Sequence, residues 1–221
     1  MVHITTAGFF FTADREWSEM NKRILGAFIT IVLGAGLIAG IGLYVASAKN
    51  DSSFIEPTAA GTLATPQGTL KHYTMDLSVY PDSLWKKKSA HPDWVSYGPS
   101  TNFHVPSHSA ITITIKQYDS GEQITNDFFA KIHGTLDGTA IIDGQKVTQI
   151  DPKTVGHTFT IRGLANKSSS NFFVSVPLPA VPDDKMSENE GEYINPRVVT
   201  FTIITGDAGE YAWNCEFPCG D

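Results

Sequence analysis

The stretch Ala110-Ile111-Thr112-Ile113-Thr114-Ile115-Lys116-Gln117 alternates apolar and polar side chains over most of its length. Successive side chains of a β-strand point to opposite faces, so this alternation predicts a strand with one buried face and one exposed face. Near the end of the chain, Val199, Phe201 and Ile203 alternate with threonines in the same way. The sequence therefore predicts two half-buried strands.

Other short runs rich in Thr, Val, Ile and Phe lie between clusters of Gly, Pro, Asp and Asn, which are turn residues. The predicted strands are 70–80, 110–117, 128–133, 146–150, 157–162, 171–176 and 197–205. No stretch in this part of the chain predicts a helix. Several short strands at this spacing indicate an antiparallel β-sandwich or barrel.

Composition limits the classes of function. The chain has 221 residues, of which 41% are hydrophobic, and this is enough to bury a core in one domain. Its formal net charge of −7 argues against nucleic acid as a partner.

Residues 24–48, ILGAFITIVLGAGLIAGIGLYVASA, contain no charged side chain. As a helix this stretch would span about 37 Å, which exceeds the roughly 30 Å hydrocarbon core of a bilayer. Lys22 and Arg23 precede it, so the positive-inside rule places the N-terminus in the cytoplasm. We expect a single-pass anchor in the plasma membrane, with the C-terminal part extracytoplasmic.

A cleaved signal peptide is the alternative to an anchor, because residues 46–48 (Ala-Ser-Ala) fit a cleavage site. We favour the uncleaved anchor, since the apolar run is longer than the usual 7 to 15 or so residues of a signal peptide. The predicted organisation is a cytoplasmic segment (1–23), the anchor (24–48), a flexible linker (49–68) and a β-domain (69–221). Residues 1–19 show no helical or strand period, and we interpret them as an extension before Met20.

The acidic loop 181–195 carries five acidic side chains and one lysine. It is either a solvated loop or a docking patch for a basic partner such as a cytochrome c, because opposite charges speed encounter.

Both cysteines of the chain, Cys215 and Cys219, lie in residues 209–221, GEYAWNCEFPCGD. Two thiolates four positions apart can form a disulfide or bind a soft metal. His157 follows a glycine at the start of a predicted strand and shares a face with Phe159 and Ile161. A buried imidazole needs a polar partner, which can be a metal or another protein group.

The pattern Gly209-x-Tyr211-x-x-x-Cys215-x-x-x-Cys219-Gly220, preceded by a predicted strand, resembles the copper loop of the cupredoxins. Among them it is most similar to the binuclear CuA domain of cytochrome c oxidase subunit II. The sequence His157-Thr158-Phe159 resembles the first ligand histidine of that family and the residues after it. The resemblance covers about residues 69–221 and implies an all-β, cupredoxin-like antiparallel Greek-key β-sandwich with one N-terminal transmembrane helix.

The resemblance also implies a ligand set. Cys215 and Cys219 would bridge two copper ions, His157 would bind one of them, and the backbone carbonyl of Phe217 would be a weak axial ligand. The second histidine and the methionine of the family would fall near positions 223 and 226. We therefore expect the sequence to be truncated after Asp221 and to bind copper weakly as it stands.

The implied function is electron transfer from a cytochrome c-like donor to membrane oxidase subunits. Catalysis by this chain alone is not expected, because the sequence shows no nucleophile–base pair, phosphate loop or zinc spacing. One alternative is a mononuclear blue-copper protein, although no histidine stands three to five residues after Cys215. The other is a non-metal interaction domain with a Cys215–Cys219 disulfide, although so short a loop adds little stability.

Overall fold

The computed structural model describes residues 13–50, 54–82, 94–121, 125–164, 171–189 and 192–217. The chain divides into two compact units, Met1–Ser52 and Ser53–Asp221. The first unit contains helix α1 (Ala13–Asn50), and the second is built mostly of β-strands.

Helix α1 is long and apolar enough to cross a membrane. Its apolar part, Asn21–Ala46, has 26 residues, a mean hydropathy of 2.4 and no buried side chains. At about 1.5 Å per residue it is roughly 39 Å long. This span overlaps the predicted anchor, 24–48, and α1 itself begins within the predicted segment 1–23.

In the described part of the second unit, the regular secondary structure consists of strands and single turns of 3₁₀ helix. The sequence likewise predicts strands and no α-helix in this part of the chain. The strands are β1 (Phe54–Ile55), β2 (Thr58–Thr65), β3 (Gly68–Tyr80), β4 (Ser96–Gly98), β5 (Asn102–Phe103), β6 (Ala110–Gln117), β7 (Ala140–Ile142), β8 (Gln145–Val147), β9 (Val155–Gly163), β10 (Phe173–Pro179), β11 (Ser187–Asn189), β12 (Glu192–Ile194), β13 (Arg197–Ile204) and β14 (Tyr211–Asn214).

Two sheets form most of this unit. The large sheet has the order β2-β3-β6-β13-β7-β8, with β4 also paired to β3, and the small sheet has the order β10-β9-β14. Neighbours in both sheets are antiparallel except β3 and β6, which run parallel. The prediction of a wholly antiparallel sheet is therefore wrong for this pair. Parallel neighbours need a long crossover, which residues 81–109 provide.

The core lies between the two sheets. Ile111, Ile113 and Ile115 of β6 are at most 1% exposed, and they belong to one buried cluster with side chains of β9 and β10. The rings of Phe159 in the small sheet and Phe201 in the large sheet lie 5.7 Å apart. The alternation in β6 and β13 thus places apolar side chains inside, as predicted.

The other face of the large sheet carries the threonines of the same alternation. Thr112 of β6 and Thr202 of β13 are joined by a hydrogen bond of 2.8 Å between their hydroxyl oxygens. The His72 ring nitrogen Nε2 lies 2.8 Å from the Thr112 hydroxyl. Such cross-strand pairs stabilise the register between neighbouring strands.

A predicted linker and a predicted strand also differ from the structure. Strand β2 lies within the predicted linker 49–68, where its backbone pairs with β3. It is a largely exposed edge strand of Thr, Ala and Gly, so its composition resembles that of a loop. The predicted strand 128–133 is mainly a turn, because the Asn126 side-chain oxygen accepts hydrogen bonds from the N–H groups of Phe128 and Phe129.

Strand β10 is longer than predicted and continues through Pro177 and Pro179. Proline lacks the N–H group that a ladder requires, so it is tolerated mainly at sheet edges. Strand β10 is an edge strand of the small sheet, which explains how it accommodates both prolines.

We expect Phe159→Ala to lower the free energy of unfolding of the β-domain by about 3–5 kcal/mol, because it leaves a cavity in the core. Phe159 is fully buried, and its ring packs against Phe103, Phe201 and Trp213. Urea unfolding of the full chain in detergent measures this loss. Ile141→Ala is the control, since Ile141 is 46% exposed, and it should change stability by less than about 1 kcal/mol. Equal losses for the two variants would contradict the assignment of the core.

Candidate functional site

His157 enters the domain interior on β9, the central strand of the small sheet. Residues 155–160 are all buried, and His157 is 0% exposed. Its backbone lies opposite Leu178 of β10. The position predicted for a buried imidazole is therefore confirmed.

Cys215 reaches His157 because β14 pairs with β9. The last residue of β14, Asn214, lies opposite Thr160, so the chain leaving β14 runs toward the beginning of β9. The Cys215 Sγ atom lies 3.6 Å from His157 Nδ1. The Thr158 N–H donates to the same sulfur at 3.4 Å.

A further bond fixes the loop that follows Cys215. The Glu216 N–H donates to the Thr158 hydroxyl oxygen at 2.8 Å. Thr158 thus binds both Cys215 and Glu216, through its N–H and its hydroxyl. These two bonds hold Cys215 and Glu216 against β9.

Asp119 binds the other nitrogen of the His157 ring. Its Oδ2 atom lies 2.6 Å from His157 Nε2, and the side chains are 9% and 0% exposed. The same oxygen accepts the Gly121 N–H at 2.7 Å. The Asp119 carbonyl accepts hydrogen bonds from the Gln117 side chain at 3.0 Å and from the Val181 N–H at 2.9 Å.

Two glycines allow the 119–121 loop to approach the start of β9. Gly121 has a φ of +64°, and a Cβ atom there would lie 2.5 Å from the Gly156 carbonyl oxygen. A Cβ on Gly156 would lie 3.0 Å from the Ser120 carbonyl oxygen. A side chain at either position would push Asp119 away from His157.

The pKa of the His157 ring is raised. Burial lowers its pKa, but the hydrogen bonds to Asp119 and Cys215 and the charges of these two groups outweigh burial and raise the pKa from 6.5 to about 9. In the metal-free protein the ring is therefore protonated at neutral pH. A metal ion that binds Nδ1 must displace a proton.

The structure brings together two of the four predicted ligand residues, His157 and Cys215. Cys219 lies outside the described residues. The Phe217 side chain is 6% exposed and packs with Ala130 and Val155, which anchors the loop after Cys215. The other described histidines have partners elsewhere: Thr112 for His72, Phe54 for His104, Asp207 for His108 and Phe128 for His133.

The pair of donors fits a metal ion. A thiolate and an imidazole bound to one tetrahedral ion at about 2.3 and 2.0 Å lie about 3.5 Å apart. The distance between Cys215 Sγ and His157 Nδ1 is 3.6 Å. Soft sulfur together with imidazole nitrogen suits copper or zinc. Over the described ranges, no group of three or more His, Cys, Asp and Glu side chains is arranged to hold a metal.

Sequence reasoning missed Asp119 and assigned no bonding role to Thr158. Asp119 is 38 positions from His157, and no local pattern links the two residues. Sequence reasoning also found no nucleophile–base pair, whereas the structure places the Cys215 thiol beside the His157 imidazole. These two residues are 58 positions apart, so only the pairing of β14 with β9 brings them together.

An open cavity of about 1090 Å³ reaches Cys215. Its lining is mainly apolar and includes Met75, Ile111, Trp213 and Phe217. The Trp213 ring stacks on Phe159, and its Nε1–H donates to the Thr101 carbonyl at 2.6 Å. Trp213 therefore packs against the core as well as lining the cavity.

No protein-family model, curated protein or solved structure matches this chain.

We expect the stability of the metal-free protein to fall as the pH rises from about 6.5 to about 9. The folded state holds the His157 proton more tightly than the unfolded state does. The resulting stabilisation is complete below the unfolded pKa of 6.5 and is lost as the pH passes the folded pKa of about 9. Urea unfolding in detergent, repeated across this range of pH, measures the fall.

His157→Gln should flatten this dependence on pH, and His72→Gln is the matched control because His72 lies on the outer face of the large sheet. An unchanged slope in His157→Gln, or stability that increases with pH in the unsubstituted chain, would contradict the prediction.

Proposed function

We propose that this chain is a membrane-anchored electron-transfer protein whose extracytoplasmic β-domain binds copper, most similar to the CuA type. The observation that carries the proposal is the approach of Cys215 Sγ to His157 Nδ1 at 3.6 Å in the domain interior. The other ring nitrogen is bonded to a carboxylate, which is common for histidines that bind metals.

The residues that would hold copper are His157 and Cys215, together with Cys219 and the Phe217 carbonyl that the resemblance implies. Bound copper supplies one-electron redox chemistry. The chain holds its donors in place before any metal arrives, since Thr158 bonds both the sulfur and the following loop. Donors that move little between oxidation states favour fast electron transfer.

The strand arrangement supports a cupredoxin-like Greek-key fold as part of the proposal. The domain contains two facing sheets, and the His157 strand lies beside β14, which ends one residue before Cys215. Helix α1 supports a membrane location, and the basic residues Lys22 and Arg23 support a cytoplasmic N-terminus.

The acidic loop supports docking of a basic donor such as a cytochrome c near the site. The Val181 N–H, at the start of this loop, donates to the Asp119 carbonyl at 2.9 Å. Tyr118, next to Asp119, has a pKa raised by burial, by Tyr80 and by the charge of Glu192 in the loop. The loop and Asp119 are therefore neighbours, and acidic charge there attracts a basic partner. Membrane oxidase subunits are the proposed electron acceptor.

Copper titration of the reduced full-length chain in detergent tests the copper site. We expect visible thiolate-to-copper charge-transfer bands, purple for a binuclear site or blue for a mononuclear one. Cys215→Ser should abolish the bands, because the described thiolate donor is lost. His157→Gln should weaken copper binding by at least about tenfold.

His72→Gln is the matched control and should behave as the unsubstituted chain does, since His72 bonds Thr112 on the outer face. Bands of equal intensity in Cys215→Ser and the unsubstituted chain, or no bands in either, would overturn the copper proposal.

A nucleophilic thiol is a second candidate function, favoured by the arrangement of Cys215, His157 and Asp119. A thiol, a base and a carboxylate that orients the base form the arrangement used in nucleophilic catalysis. The cavity beside Cys215 could admit an apolar substrate that carries an electrophilic carbon. Thiol chemistry would not require a metal.

Alkylation of the metal-free chain tests this candidate. In Cys219→Ser, Cys215 is the sole cysteine, and iodoacetamide should modify it. Adding His157→Gln should slow the reaction at least about tenfold, because the adjacent imidazolium that stabilises the thiolate is lost, whereas adding His72→Gln should not. Equal rates in all three variants, measured by mass spectrometry, would exclude an activated thiol.

A further inference from the structure

We infer that Asp119 is a positioning residue for His157: its carboxylate holds Nε2 so that Nδ1 faces Cys215. The inference rests on the proposed function, since it concerns His157 as a metal ligand. It assigns a role to a residue that the copper-loop resemblance does not include.

The orientation of the imidazole ring needs such a partner. Both ring nitrogens of histidine can bind a metal, and the bond at one nitrogen selects the other as the ligand. Turning the His157 ring over would replace Nε2 by a carbon at the Asp119 contact and would move Nδ1 away from Cys215. The bond of 2.6 Å between Nε2 and Asp119 Oδ2 therefore selects the ring orientation that offers Nδ1 to the sulfur.

Asp119 is itself fixed, so its carboxylate does not follow the ring if the ring turns. Its Oδ2 accepts the Gly121 N–H at 2.7 Å, and its carbonyl accepts bonds from Gln117 and Val181. The close approach of Gly121 to Gly156 holds this loop against β9. The backbone around Asp119 thus fixes the carboxylate, and the carboxylate in turn fixes the position of His157 Nε2.

The carboxylate has a chemical effect as well as a geometric one. A carboxylate on the second nitrogen makes the ligand nitrogen more basic, and loss of such a partner typically costs about 10- to 100-fold in metal affinity. Because Asp119 is nearly buried, solvent does little to screen this interaction.

The first measurement uses the metal-free full-length chain in detergent, with ¹⁵N-labelled histidine. We expect a downfield, slowly exchanging ring N–H resonance from Nε2 of His157, identified by its loss in His157→Gln. Asp119→Ala should remove the resonance, and Asp119→Asn should move it upfield, because a neutral amide accepts a hydrogen bond less strongly than a carboxylate.

Asp76→Asn is the matched control, since it removes the same charge from an exposed position on the outer face of β3. It should leave the ring resonance unchanged. If Asp119→Ala fails to fold, as judged by circular dichroism, the near-isosteric Asp119→Asn carries the test.

The second measurement is the affinity for cuprous ion, by competition with a chromophoric chelator. We expect Asp119→Asn to weaken binding about 10- to 100-fold and Asp119→Glu to restore part of the loss. Asp76→Asn should bind as the unsubstituted chain does. A merely structural role for Asp119 would lower stability without changing the ring resonance.

The two measurements separate this inference from the proposed function. Loss of the ring resonance in Asp119→Ala, in a chain that binds no copper, would support positioning while the copper proposal fails. A ring resonance that persists in Asp119→Ala would overturn the positioning role, and so would equal copper affinity in Asp119→Asn and Asp76→Asn in a chain that does bind copper.

Discussion

The buried hydrogen bond between His157 and Asp119 is the interaction on which the site depends. An imidazole with no solvent exposure is costly to bury unless both nitrogens find partners. Asp119 meets this need at Nε2, and Cys215 lies at Nδ1. Through its two ring nitrogens, His157 thus connects the start of β9 with the loop after β6 and with the loop after β14.

Backbone shape makes this bond possible. The loop after β6 can reach His157 because Gly121 and Gly156 leave no side chains at their point of contact. The loop after β14 arrives from the other side because β14 pairs with β9. The positions of Asp119 and Cys215 beside His157 thus depend on the contact between two glycines and on the pairing of two strands.

The sequence predicted the parts of the fold that follow from local pattern. The alternation in β6 and β13 predicted both strands, and the uncharged run predicted a helix able to cross a membrane. Strand β2 was missed because an exposed edge strand buries few apolar side chains. The apolar pair Phe128 and Phe129 predicted a strand, but the Asn126 side chain turns the backbone there.

Only part of the site could be predicted, because its other residues are brought together by the tertiary fold and not by local sequence. The imidazole of His157 and the thiol of Cys215 can both bind metals, so the sequence alone marked these residues as candidates. Asp119 is one of many aspartates, and only the tertiary fold distinguishes it. Thr158 was noted as the neighbour of a histidine, but its bonds to Cys215 and Glu216 depend on the pairing of β14 with β9.

In the proposed copper site, the two partners of the donor pair act in opposite directions on the reduction potential. The Thr158 N–H donates to the Cys215 sulfur, which would withdraw electron density from the donor and favour the reduced form of a bound metal. The Asp119 carboxylate makes the His157 nitrogen more basic and would favour the oxidised form of a bound metal. The potential would therefore reflect a balance set on β9 itself, because Thr158 and His157 are consecutive residues of that strand. A shift in the backbone of β9 would change both effects at once.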